Sequence, residues 1–149
     1  MLSTTKVEET YTVEDFIELG KEIDDIQYSK FAIFAKATAD STNPILYATH
    51  NIIYDYEEEF KKLALTIDMT DDEYIKYRMK PKLLAYDVYG STEIFFVILF
   101  INGIYNIKDF DKRTIKLLKK DTMIQLLEAI YNAERNYLLM NRSSVNYVE

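Results

Sequence analysis

The 149-residue chain has no cysteine, a single histidine, 2 prolines and 3 glycines. Without thiols it has neither a disulfide framework nor a thiol nucleophile, and it can work in a reducing or an oxidising compartment. A histidine-based metal site would have to take every other ligand from carboxylates, and no HxxxH spacing surrounds His50. His50 is read as a strand histidine with a structural role or no special role. So few glycines and prolines argue against a sandwich of many tight turns, and they cannot build a phosphate-cradling loop. Neither GxxxxGK[ST], GxGxxG nor GxSxG occurs.

Long apolar runs are also missing. The longest, Ile94 to Ile101, is far shorter than the ~20 residues that span a bilayer, and reads as a buried helix. The N-terminal MLSTTKVEETYTVEDF has no apolar core of a signal peptide, so synthesis and assembly in the cytoplasm are expected. A net charge of −7, with the lysines scattered among carboxylates, argues against nucleic acid as a partner.

What the chain does have is apolar content of 48% and 13 tyrosines. The first is enough for one domain with its own core. The second supplies broad contact area with a polar tip, suited to a partner-facing surface as well as to a core.

Along the chain, residues 1–11 are polar and read as a flexible N-terminus. Residues 12–69 form an N-terminal helix and hairpin region, 70–120 a central helical region, 121–140 an amphipathic helix and 141–149 a tail, with 12–140 one compact domain. Thr12-Val-Glu-Asp15 caps a helix over 13–26, whose Phe16, Leu19, Ile23 and Ile26 make one apolar stripe. Residues 28–38 fit strand or helix, with strand preferred, and Asp40 to Pro44 is a loop. From Ile45 to Met69 alternation favours an antiparallel hairpin, with Ala48, His50, Ile52, Tyr54 and Tyr56 on one face and Glu57 to Glu59 at the turn.

Thr70-Asp-Asp-Glu73 is a capping-box signature for a short helix. Pro81 suits the first turn of the next helix, 81–89, and Gly90 suits the left-handed position that ends it. Ser91 or Thr92 caps a second helix whose apolar run stops at Asn102-Gly103. A strand is expected over 114–119, and then a last helix, capped by Asp121 or Thr122, with the stripe Met123, Leu126, Leu127, Ile130, Ala133, Tyr137 and Met140. The fold class is α+β: a small antiparallel sheet with packed helices and a helix pair near the middle.

No catalytic, cofactor or metal residue is assigned. The carboxylates of Asp24-Asp25, Glu57 to Glu59 and Asp71 to Glu73 could supply a glycosidase pair or hold a hard cation, but no calcium-loop spacing is present and they read as solvated or capping groups. Asn141-Arg-Ser143 matches a glycosylation sequon and is read as chance. Tyr86, Tyr89, Phe95, Phe96, Phe100 and Tyr105 are the densest aromatic group. Most fill the space between the two helices. Phe95 and Phe96 point about 100° apart on a helix, so at least one aromatic is left for a partner. Tyr105, Tyr131 and Tyr137 are candidate interface residues.

The run Leu83 to Gly90, the paired Phe95 and Phe96 and the Asn102-Gly103 ending resemble the lysin-motif (LysM-like) region of baseplate wedge proteins of contractile-tailed bacteriophages. The resemblance covers about residues 70–120. It marks Pro81, Tyr86, Tyr89, Gly90, Phe95, Phe96, Asn102 and Gly103 as motif or structural positions. It implies a non-enzymatic subunit of the virion tail baseplate, a scaffold joining other tail proteins in several copies around the tail axis, with no cofactor, nucleic acid or membrane. The alternative it carries is a module binding the N-acetylglucosamine chains of peptidoglycan. No strand of the usual lysin type precedes the first helix, and Asp111-Lys112-Arg113 stands where a Pro-Gly turn is common, which favours the scaffold. A wall-degrading hydrolase using a carboxylate pair is a third reading.

Overall fold

The computed structural model describes residues 9–28 and 52–148, with side chains of the last helix described as far as Asn136. Strand β1 (Thr10–Tyr11) leads into helix α1 (Val13–Gly20). After a 3-10 turn (Ile52–Tyr56) come α2 (Glu57–Leu63), β2 (Leu65–Asp68), α3 (Asp71–Tyr77), α4 (Pro81–Tyr89) and α5 (Phe95–Ile101). A second 3-10 turn (Ile107–Asp109), β3 (Thr114–Leu117) and the long α6 (Lys120–Val148) complete the order. The class is α+β, with six α-helices and three strands among the described residues.

The sheet has the order β1-β2-β3. β2 runs antiparallel to β3, with Ile67 opposite Ile115 and Leu65 opposite Leu117. Ile67, Ile115 and Leu117 are buried on one face. On the other, the Lys116 ammonium donates to the Thr66 hydroxyl at 2.7 Å. The two-residue period of a strand divides these roles. β1 pairs parallel to β2, so the sheet is mixed and not wholly antiparallel. A parallel neighbour requires a long crossover, and α1 with the chain after it provides one.

Several expected elements shift. α1 stops at Gly20 and not near residue 26. There the absent side chain leaves room for Lys120, whose Cδ would lie 2.9 Å from an added Cβ. The chain then turns and crosses the helix pair, where the Ile26 N–H donates to the Tyr89 carbonyl at 3.0 Å. Thr10 and Tyr11, placed in a flexible terminus by composition, form a strand. The expected hairpin is replaced over residues 52–63 by a 3-10 turn and α2. Ile53 and Phe60 are buried there with Tyr56 partly so, a three- and four-residue spacing. Glu57 to Glu59 fill the first turn of α2 and Lys61 and Lys62 its last, the charge order that suits a helix dipole. The expectations for residues 29–51, including His50, lie outside the described residues. α6 starts one residue before Asp121 and runs through Val148, so residues 141–148 are helical.

The core is continuous, joining Val13 and Phe16 of α1, Phe60, Leu84, Val88, Val97 and Ile98 to Ile115, Leu117, Met123, Leu127 and Ile130. Full burial of each such side chain contributes about 1.5–3 kcal/mol.

Candidate interaction surface

The helix pair is built as its punctuation suggests. Pro81 occupies the first turn of α4 and is buried. Gly90 ends that helix at φ 79, and its N–H returns to the Tyr86 carbonyl at 2.8 Å. Gly90 is also a contact point: an added Cβ would overlap the side chain of Asp25. Asp25 pairs with Lys120 at 3.1 Å, and the same buried ammonium donates to the Ile23 carbonyl at 2.8 Å. Glycine is thus required both by the left-handed backbone and by the chain that crosses it.

Tyr89 is fully buried and its hydroxyl donates to the Leu118 carbonyl at 2.5 Å, joining α4 to the end of β3. Burial pushes this hydroxyl well above the usual tyrosine range. Tyr77, on α3, donates to Asp87 at 2.7 Å, and burial followed by that bond raises its pKa as well. α5 begins after Ile94 without a side-chain cap, so neither Ser91 nor Thr92 plays the expected capping role. The Ser91 hydroxyl accepts from the Glu93 N–H at 3.3 Å instead.

Asn102 closes the pair onto the sheet. Its amide nitrogen donates to the carbonyls of Ile98 at 2.7 Å and Lys116 at 2.9 Å, and its oxygen accepts from the Lys116 N–H at 2.7 Å. One side chain therefore covers part of the outer edge of β3 as a neighbouring strand would. Gly103 follows at φ 67, and bonds from Gly103 to Phe100 (3.1 Å) and from Ile104 to Leu99 (2.9 Å) complete a Schellman ending.

Aromatic rings divide between interior and surface. Phe100 packs against Phe60 and Tyr54 at centroid distances of 5.4 Å, and Phe96 lies 5.6 Å from Tyr54. Phe95 is half-buried beneath Lys82, whose ammonium sits 5.0 Å from the ring centroid. Tyr86 is 55% exposed and Tyr105 is 91% exposed. Tyr131 is partly buried, and Tyr137 lies beyond the described side chains. Tyr74 donates to Asp111 at 2.6 Å and is flanked by the guanidinium groups of Arg78 at 5.6 Å and Arg113 at 5.1 Å. Arg113 in turn pairs with Asp71.

Each of the three acidic groups has a member with a structural partner, Asp25 with Lys120 being the first. Glu57 pairs with Lys61 at 2.7 Å. Glu73 completes the capping box of α3 with Thr70. It also accepts from the N–H groups of Val13 at 3.1 Å and Glu14 at 2.9 Å at the start of α1. That second cap, between positions 60 residues apart, has no local signal in the sequence. Among the described residues there is no cluster of His, Cys, Asp or Glu suited to a metal ion, no helix long and apolar enough to cross a membrane, and no buried side-chain polar atom without a hydrogen-bond partner. The groups this surface exposes are aromatic and charged side chains.

A family model described as Base plate wedge protein 53 matches residues 24–111, more than half of the chain. The match takes in β2 and the helix pair and stops short of β3 and α6. Neither a curated protein nor a solved structure matches the chain.

Proposed function

The chain belongs to the phage family of base plate wedge protein 53, structural proteins of the virion tail baseplate that meet other baseplate proteins there, and from that premise we propose that it is a non-catalytic scaffold joining neighbouring wedge components. In this reading several copies stand around the tail axis. The family match carries the proposal, and the surface supplies its means: Tyr86 and Tyr105 project from a frame whose buried polar groups are satisfied. Exposed tyrosines on a rigid support are effective interface anchors, because little side-chain entropy is lost on docking. The order β2, helices, β3, with the two strands antiparallel, supports a lysin-motif likeness of the middle of the chain.

Co-purification with the other wedge proteins tests this role. Tyr86→Ala and Tyr105→Ala should leave thermal unfolding within about 0.5 kcal/mol of the unaltered chain, as surface changes do, and should weaken capture of wedge proteins. Normal assembly by both variants would remove these tyrosines as anchors. Retention on insoluble cell wall would favour the glycan-binding alternative.

A further inference from the structure

Two stretches of the described surface each carry a local excess of one charge sign. Between Glu9 and Asp25 the only cation is Lys21, which pairs with Glu18 at 2.9 Å, and the exposed Glu14, Glu18 and Glu22 recur at four-residue intervals. Beside them Leu19 stands 54% exposed, although its sequence position belongs to the apolar stripe of α1. The opposite arrangement occupies the link from α3 to α4. From Lys76 to Lys82 there is no carboxylate, and exposed Arg78 and Lys80 flank Met79.

Met79 is 41% exposed and has φ 55, a left-handed conformation that few residues with side chains adopt. Its N–H donates to the Phe110 carbonyl at 2.6 Å, which brings Lys112 to the same edge. Arg78 is answered by Asp111 and Lys76 by Asp87. No carboxylate among the described residues pairs with Lys80 or Lys112.

We propose that these two faces meet between copies of this chain, the Met79 edge of one seated on the Leu19 face of a second. Each face carries one exposed apolar side chain and, once the Glu18–Lys21 and Arg78–Asp111 pairs are set aside, unpaired charges of one sign: Glu14 and Glu22 beside Leu19, Lys80 and Lys112 beside Met79. The two faces lie on different elements, and a head-to-tail contact leaves one Leu19 face on the first copy and one Met79 edge on the second unused, which propagates into a ring or a chain. Charged surroundings set the orientation and rate of such an encounter and make it sensitive to salt. The contact rests on the charge layout alone and stands or falls separately from the baseplate assignment.

Sedimentation velocity of the purified full chain over a concentration series tests it. Self-association is expected at about 0.05 M salt and should weaken by about tenfold or more at about 1 M, where screening acts within a few ångströms. A chain carrying Lys80→Glu with Lys112→Glu and another carrying Glu18→Lys with Glu22→Lys should each stay monomeric. Mixing them should restore association, because the intact acidic face of the first meets the intact basic edge of the second. A monomer at every concentration in low salt would overturn the proposal, and so would association indifferent to salt and to both pairs of substitutions. The salt series on the unaltered chain needs no variant to fold.

Discussion

The Glu73 carboxylate accepts the backbone N–H of Val13 at 3.1 Å while its own helix, α3, relies on the same group for its capping box. One side chain thereby satisfies donors at the starts of two helices. Its second oxygen accepts from Glu14, and Thr70 supplies a further donor at 3.2 Å. Glu73→Ala should therefore lower stability by about 2 kcal/mol, near the upper range for loss of a cap. Chemical denaturation measures this. Val13 and Glu14 should also lose amide-exchange protection relative to the rest of the chain, and an effect below about 0.5 kcal/mol would show that water replaces the carboxylate at both helix ends.

Tyr89→Phe keeps the buried ring and removes only the hydroxyl that reaches Leu118. The orphaned carbonyl should cost about 1–3 kcal/mol. Tyr89→Ala should cost about 3–5 kcal/mol, since it also empties the space the ring fills. Equal effects of the two substitutions in urea unfolding would mean that the ring contributes nothing beyond its hydroxyl.

Two glycines provide a controlled comparison. Gly90 and Gly103 both have positive φ, at 79 and 67, but an added Cβ at Gly90 would overlap Asp25 while at Gly103 it meets nothing within 4 Å. Gly103→Ala should show only the backbone strain of about 1–2 kcal/mol. Gly90→Ala should exceed it and should also release the Asp25 contact with Lys120, seen as faster amide exchange at Ile26. Similar melting shifts for both would contradict the close approach of Asp25.

Tyr56 donates to Glu134 at 2.8 Å, and burial first, then this bond, pushes its hydroxyl from 10.0 up to about 12. The folded value lies above the unfolded one, so the stability it contributes is fully present below pH 10 and is lost as the pH rises through about 12. Tyr56→Phe should flatten this alkaline limb of the stability curve, with tyrosinate absorbance reporting the missing high-pH step. An unchanged limb would assign it to other tyrosines.

Asn102→Ala should uncover the edge of β3 and speed amide exchange at Lys116, with a stability loss of about 1–2 kcal/mol. Asn102→Asp should be worse, because two carbonyl-facing donors are replaced by an acceptor.

Local chemistry was legible in the sequence wherever one residue type had one conformational use. Pro81 and Gly90 bracket α4, Thr70 and Glu73 start α3, and Asn102-Gly103 ends α5, each as the residues imply. Periodicity misled between Ile52 and Leu63, where alternating Ile52, Tyr54 and Tyr56 imitate a strand while Ile53, Tyr56 and Phe60 form the helical stripe that is buried. The acidic first turn and basic last turn of α2 were the signal that could have decided it. β1 was missed because two residues carry no period. What no local reading reaches is pairing over distance, such as Glu73 with Val13 or Lys120 with Asp25, since tertiary packing alone brings those groups together. At the candidate surface the aromatic motif positions were visible, but their division into buried Tyr89 and exposed Tyr86, three residues apart on one helix, depends on which side of α4 the core lies.

The central claim is that this chain is a fixed part of the tail baseplate. Quantitative mass spectrometry of gradient-purified phage particles and isolated tails, scaled to another tail protein of known copy number, tests it most directly. The account predicts the chain in both samples at a constant whole-number ratio to that standard. Its absence from finished particles, with recovery only from infected-cell lysate, would contradict the account.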